Sequence, residues 1–449
     1  MYLYFLVIVL LFLTLFNYIV SGKDLIHPCF IICLSFFVSA CSAVYNVKIW
    51  NIQLSATTFF LIVLSLSAGT VGCILGVKLK AISGKKKNVK EISFIEVDGW
   101  KCIVLFCFGL FTSYLYYRDI MRIISSLSIG GGGWTAAIGA YRSNSLFAAG
   151  DAEMSVSSLT SNLYQVFRAV ASVFAYILAN NIVYAGKKGL QLKILFPVIV
   201  YIACSILTGG RMPVLKLIVC FAVCYLIILR KKRKTRRIVS TKLIGRILAI
   251  GCGILFMFSQ VRTLVGRDSE LDFMSYITMY TGGSIELLDL FVKDPLPASN
   301  IWGKETFYSI YASLARIMNR TEWSYSFAKE FRMSNGITVG NVYSALRCFY
   351  YDYGFLGCIL STFIVCFVLA SIYKTVLKHN SKNHIDILLL VYAYYSYIYF
   401  FFSINNYIDV ISPAFIKNLL FYLGITFFLF KMKLFKSGKI KRPVGLRIN

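Results

Sequence analysis

This chain of 449 residues is poor in charge and poorer still in histidine and proline. Only 15% of its residues are charged, three are histidine and seven are proline, against 58% hydrophobic and 16% aromatic. Soluble domains do not have this balance, whereas polytopic membrane proteins do. No Walker A, GxSxG, HExxH or dinucleotide fingerprint is present, which argues against an ATP-driven pump. There is no CxxC, internal repeat, coiled-coil heptad, or Pro-rich or Ser-rich linker, so residues 1–449 read as a single membrane domain. The 13 cysteines lie in or beside hydrophobic runs and read as small apolar filler rather than as a disulfide scaffold or thiolate metal site.

What the sequence has is long apolar runs. A helix needs about 20 apolar residues to cross the hydrocarbon core. About 11 segments (10–12) qualify: 2–20, 25–43, 56–77, 100–117, 163–183, 193–208, 213–229, 243–261, 345–373, 385–404 and 413–430. The expected fold is therefore all-α, a polytopic integral membrane protein. The opening run Met1–Val20 lacks a basic n-region and a small-residue cleavage site, and reads as the first span.

The net charge of +28 is concentrated in five short loops: Lys78–Lys90, Lys187–Lys193, Arg230–Lys242, Lys374–Lys382 and Lys431–Arg442. Two apolar segments separate each cluster from the next, so the positive-inside rule puts all five, and the C-terminus, in the cytoplasm. The basic run at 230–237 then reads as an anchor on anionic lipid, and no nucleic-acid partner is expected. The N-terminus falls outside by the same count, a placement that one re-entrant segment would reverse. Two long loops face outward, 118–162 and 262–344. Within the second, Ser284–Val292 and Phe307–Met318 are apolar enough to lie on the membrane surface as amphipathic helices, roofing a vestibule.

Candidate chemistry gathers on that outward side. Arg142, Arg168, Arg211, Arg262, Arg267, Arg316, Arg320 and Arg347 lie in outward loops or at span ends. Any one of them can be explained by snorkelling or by pairing with a carboxylate of the same loop, which holds eight basic and nine acidic residues over 262–342. Collectively they suit phosphate, because guanidinium binds it bidentately. Arg211 is the strongest candidate, lying in a Gly-Gly-Arg turn between two spans where exposed backbone N–H groups add to an anion site. The three histidines, His27, His379 and His384, fall near the cytoplasmic face. An outward reaction that needs a base must then use a carboxylate or Tyr, or none. Asp352 is the first candidate, with a helix-capping role in an aromatic belt as its plain alternative. A regular helix from Tyr343 would put Tyr343, Arg347, Tyr351 and Gly354 on one stripe and Asp352 elsewhere. Only a break near Tyr353–Gly354 would let Arg347 and Asp352 converge. The acidic spacing Asp268-Ser-Glu-Leu-Asp272 lacks further ligands for a divalent ion, so no metal or cofactor is expected.

Thr208-Gly-Gly-Arg-Met-Pro213 at an outward turn, a large late outward loop, and Asn341-Val-Tyr-Ser-Ala-Leu-Arg-Cys-Phe-Tyr-Tyr-Asp-Tyr-Gly-Phe-Leu-Gly357 at its exit resemble the O-antigen or oligosaccharide repeat-unit polymerases (the Wzy family). The architectural likeness covers nearly the whole chain, and the residue-level likeness only those two stretches. The resemblance implies a bacterial inner-membrane glycosyltransferase working at the periplasmic face. Its donor and acceptor are undecaprenyl-diphosphate-linked oligosaccharides in membrane lipid, and a chain-length regulator protein is an expected partner. Under it, Arg211 and Arg347 bind diphosphate with Arg142 in support, and Asp352 takes the acid/base role. Arg262, Arg267, Arg316, Arg320, Asn341, Tyr343 and Tyr351 contact substrate. An O-antigen ligase shares the plan but relies on an outward histidine, and a lipid-linked oligosaccharide flippase would have shorter loops.

Overall fold

A computed structural model describes residues 1–79, 94–126, 137–142, 155–233, 272–323, 329–379, 381, 383–406, 408 and 412–432. The chain runs through α1 (Tyr2–Val20), α2 (Pro28–Tyr45), α3 (Ala56–Lys78), α4 (Gly99–Ser126), a short α5 (137–142), α6 (Ser158–Ala185), α7 (Leu192–Leu207) and α8 (Met212–Arg233). It continues with α9 (Phe273–Lys293), α10 (Tyr308–Met318), the hairpin β1–β2 (Arg332–Ser334 and Ile337–Gly340), α11 (Ala345–Lys378), α12 (Ile387–Tyr395), α13 (Tyr397–Phe400) and α14 (Pro413–Phe430). Eight of these helices, α1, α2, α3, α4, α6, α8, α11 and α14, are long and apolar enough to cross a membrane. Helix α7 and the pair α12–α13 are shorter apolar helices. The ten match ten of the expected segments, and 243–261 lies outside the described residues. The protein is an all-α polytopic membrane protein.

Local chemistry sets where helices begin. Ser55, Ser157 and Asp272 each accept a hydrogen bond from a first-turn N–H, capping α3, α6 and α9, and Pro28 and Pro413 occupy first-turn positions of α2 and α14. The outer surface is apolar in stripes. On α11, Leu356, Leu360, Ile364, Val368 and Ile372 recur every four residues and are all exposed. In a bilayer that stripe is the lipid contact.

The structure corrects two expectations about the outward loops. Helix α4 continues to Ser126 and α6 begins at Ser158, so both ends of the 118–162 loop are helical. Backbone hydrogen bonds carry a helix past the membrane boundary as readily as up to it. The second correction concerns Ser284–Val292. It does not lie on a surface but belongs to α9, whose residues from Gly282 to Asp289 are buried against α2 and the hairpin. The approach is close because Gly282 has no side chain: a Cβ there would come 2.6 Å from the Ala43 nitrogen. The polar groups of the buried face find partners. Glu286 accepts from Ser334, and Asp289 accepts from the Ser55 hydroxyl and pairs with Lys293. Helix α10 keeps an exposed apolar edge at Ile317 and Met318, as an amphipathic helix should.

The bundle has two unlike ends. At one, Asp24 accepts from Arg230 and Tyr373, while Lys231 and His379 meet Asp386. His27 packs edge-on to Tyr373, and His384 stacks on Phe430. All three histidines therefore lie at the end that carries the basic loops. The opposite end holds the 46–55 connection, the turn at 208–211, the hairpin and the start of α11.

Candidate functional site

Two arginine centres occupy that second end. The first sits at the start of α11, which is capped at Ser344 rather than running from Tyr343. Arg347 is fully buried. It donates to Glu330 at 2.7 Å and to Glu305, and its guanidinium lies over the rings of Phe291 (4.3 Å), Tyr343 (4.9 Å) and Tyr351 (5.6 Å). Lys329 pairs with Glu305 at 2.7 Å, and Arg332 reaches both Glu330 and Asp294 at 3.4 Å. Tyr343 donates to Glu330 at 3.0 Å, and the Asn341 amide reaches the Lys329 carbonyl at 3.4 Å. Buried charges survive only when paired and hydrogen-bonded, and this cluster meets that condition. Burial alone would push the Glu305 carboxyl up, but Lys329 and Arg347 outweigh it and hold the group below its ordinary range. Burial, with Glu330 alongside, raises the Tyr343 phenol, which stays a neutral donor.

Asp352 lies one turn further along. Its carboxylate accepts from the backbone N–H of Glu305 at 3.1 Å and of Thr306 at 2.7 Å, pinning the turn before α10. The helix breaks at Gly354 (φ 68°, ψ −167°), a conformation open essentially to glycine. Arg347 and Asp352 do converge, but on the segment Glu305–Thr306, one through a side chain and the other through backbone amides. Tyr351 donates to the Pro297 carbonyl at 3.1 Å. Beside the cluster a cleft of about 530 Å³ opens between the end of α9 (Leu290, Lys293, Asp294) and Glu330–Met333. Glu330 lines the cleft and joins it to Arg347.

The second centre is the Gly209-Gly210-Arg211 turn. Arg211 is buried and donates to the Tyr276 hydroxyl at 2.5 Å, with the rings of Tyr276 and Tyr280 5.5 and 5.7 Å from its guanidinium. Arg142, on α5, donates to the Gly209 carbonyl, so the two arginines meet at one turn. Arg320 is exposed and pairs with Glu322 at 2.9 Å. Arg262, Arg267 and the side chain of Arg316 lie outside the described residues.

Helix α9 shows how far apart the centres are. Arg211 contacts it at Tyr276 and Arg347 at Phe291, 15 residues on, which is about 22 Å along the axis. The Asn341–Gly357 stretch and the Gly-Gly-Arg turn therefore share an end of the bundle and touch α9 at well-separated positions. Sequence reasoning missed Glu305 and Glu330 as partners of Arg347, and Lys329 as a second partner of Glu305, and no local pattern in the chain marks them. Comparison of the chain with protein-family models, with curated proteins and with solved structures finds no match.

Proposed function

We propose that this chain polymerises lipid-linked oligosaccharide repeat units, transferring a growing glycan from undecaprenyl diphosphate to the non-reducing sugar of a fresh unit on the same carrier. The observation that carries this reading is the pair of arginine centres at one end of an apolar bundle, opposite all three histidines. By the positive-inside rule the end with the basic loops is cytoplasmic, so the pair faces the periplasm of a bacterial inner membrane.

The distance of about 22 Å between the centres suits an acceptor that is itself a few sugars long. Its diphosphate sits at Arg211 and Arg142, and its far sugar reaches the cluster at the start of α11. There the acceptor hydroxyl oxygen attacks the donor's anomeric carbon. The bond to the diphosphate oxygen breaks, and the hydroxyl proton passes to a carboxylate. Lys329 and Arg332 supply positive charge where the leaving diphosphate gathers its negative charge, and Arg347, held by Glu305 and Glu330, braces the carboxylates beside them. Glu330 faces the cleft and is the carboxylate placed to take the proton. Asp352, held by two backbone amides, is a positioning residue for the Glu305 segment. The exposed stripe of α11 begins at Leu356, just below this cluster, where a polyprenyl tail can remain in lipid. A ligase that depends on an outward histidine is disfavoured, since none is at this end.

The decisive test is reconstitution in vesicles with a purified lipid-linked repeat unit, with polymer as the expected product. Arg211→Ala should abolish polymer while protein level persists, and normal long chains from that variant would sink the assignment. In cells, a deletion should leave lipopolysaccharide with a single repeat unit. Bare core would point instead to a ligase or a flippase.

A further inference from the structure

Ser334, the last residue of β1, touches two oxygens at once. Its Oγ lies 2.7 Å from the Trp50 carbonyl oxygen and 2.7 Å from Oε1 of Glu286. Both are full-strength O–H···O distances, so each needs a hydrogen between the oxygens. A serine hydroxyl has one hydrogen to give, and a backbone carbonyl has none. With Glu286 ionised, Ser334 donates either to the carboxylate or to Trp50, and the other contact becomes a pair of bare oxygens. A proton on Glu286 removes the conflict: the carboxyl donates to Ser334, and Ser334 donates to Trp50.

The surroundings favour the neutral acid. Glu286 is 3% exposed, and its Oε2 has no hydrogen-bond partner among the described residues. A buried carboxylate with one oxygen bare is costly, far more so than a neutral carboxyl in the same place. The charges that act on it are Asp289 and Lys293 of its own helix, and Lys293 is already paired with Asp289 at 2.6 Å. The elements packed on that face bring uncharged groups: α2 brings Ser42 and Ala43, the 46–55 connection brings Trp50 and Ser55, and the hairpin brings Ser334. Lys48 of that connection is exposed, and Arg332 and Arg347 lie over Phe291, further along α9. Burial, with Asp289 alongside, pushes the Glu286 carboxyl above its ordinary range, against the Ser334 hydroxyl and Lys293.

The same contact decides how the hairpin is held. Its base is fixed by Arg332, which donates to the carbonyls of Leu290 at 2.9 Å and Asp294 at 2.6 Å. Its tip is fixed by Ser334 and by the Asn335 amide, which donates to the Ile49 carbonyl at 3.1 Å. Phe331, Arg332 and Met333 form one side of the cleft. We propose that Glu286 is a proton-operated latch: as a neutral acid it fastens the hairpin tip to the 46–55 connection, and on ionising it frees the tip and reshapes the cleft. Ser334 then turns its hydrogen to the carboxylate and meets the Trp50 oxygen without one, so the tip moves off while Arg332 holds the base. The latch does not rest on the reaction proposed above and stands whatever the cleft accepts. The folded protein holds this proton more tightly than the unfolded chain does. The latch is therefore closed in acid, and its contribution is lost as pH rises through the folded value, the reverse of Glu305.

The test is hydrogen exchange read by mass spectrometry on the full chain in detergent, followed over residues 332–340 and corrected for the intrinsic pH dependence of exchange. The amides of α11 serve as the reference for folding. Between about pH 5 and about pH 9, the range buried carboxyls cover, protection of the hairpin should fall about tenfold in the unaltered protein, the loss of one buried hydrogen bond. Glu286→Gln keeps a neutral donor of the same shape and should hold the acid-state protection at both pH values. Ser334→Ala removes the shared hydroxyl and should show the low protection at both. Infrared spectra give a second readout, since Glu286→Gln should remove a carboxylic-acid stretch that the unaltered protein shows at the lower pH. Hairpin protection that ignores pH in the unaltered protein, a folded Glu286→Gln as unprotected as Ser334→Ala, or an acid stretch unchanged by Glu286→Gln overturns the proposal.

Discussion

Arg347 and Arg168 are both arginines inside an apolar bundle, yet their surroundings are opposite. Arg347 is closed off from solvent and neutralised twice, by Glu305 and Glu330. Arg168 is partly open and faces phenols and an amide. The difference teaches that a buried arginine can be held in two ways: Arg347 by two carboxylates in an ion-paired strut, and Arg168 by an amide oxygen and an aromatic ring, with no carboxylate beside it among the described residues.

The comparison is most sharply broken by removing each charge in turn. Arg347→Met strands two carboxylates in a desolvated site and should cost about 3–5 kcal/mol, as broken buried pairs do. Arg168→Gln removes a charge with no carboxylate partner among the described residues, whose burial cost offsets its one hydrogen bond to the Asn418 amide oxygen, so its stability should move by about 1 kcal/mol or less in either direction. Thermal melting in one detergent measures both, and equal losses would erase the distinction. Next in size, Gly354→Ala should cost about 1–3 kcal/mol. An added Cβ would meet nothing within 4 Å, so the whole effect is backbone strain at φ 68°. The break lies two residues beyond Asp352, so this variant should disturb the Arg347 cluster more than the surroundings of Arg168.

The smallest effect is the response to acid. Glu305 has its pKa depressed in the folded protein, so its contribution to stability is present above the unfolded carboxylate value, about 4.3, and is lost as pH falls through the lower folded value. Melting temperature should therefore drop between pH 5 and 3, and Glu305→Gln should flatten that slope. The Arg168 surroundings contain no carboxylate among the described residues, so Arg168→Gln should leave the slope as it is. A slope that Arg168→Gln flattens and Glu305→Gln does not would reverse the assignment of the two regions.

Much of the scaffold was legible in the chain. Ten apolar runs became helical near their expected bounds, one of them as the pair α12–α13, because a run long enough to cross a bilayer must satisfy its own backbone and needs no tertiary partner to be a helix. A break near Tyr353–Gly354 entered only as a condition for Arg347 and Asp352 to converge; the helix does break at Gly354, beyond both residues, and they meet the Glu305–Thr306 segment from the regular stretch before it. Helix α9 was legible in part: Ser284–Val292 is helical as expected, but its burial against α2 and the hairpin, with Gly282 close to the Ala43 backbone, appears only once the chain has packed. The ion cluster was invisible for a different reason: Glu305, Glu330 and Arg347 lie 17 to 42 residues apart with no period linking them.

The sequence by itself determined the class of the protein, its helices and the gathering of basic residues at one end. These follow from hydrophobicity and charge acting locally, residue by residue, against a lipid solvent. Only the tertiary structure decided which arginines are answered by carboxylates and which by tyrosines. It also set Arg211 and Arg347 against positions of α9 about 22 Å apart along its axis, and turned Asp352 toward backbone amides. Pairing energies depend on distances between groups far apart in the chain, and those distances exist only once the helices have packed.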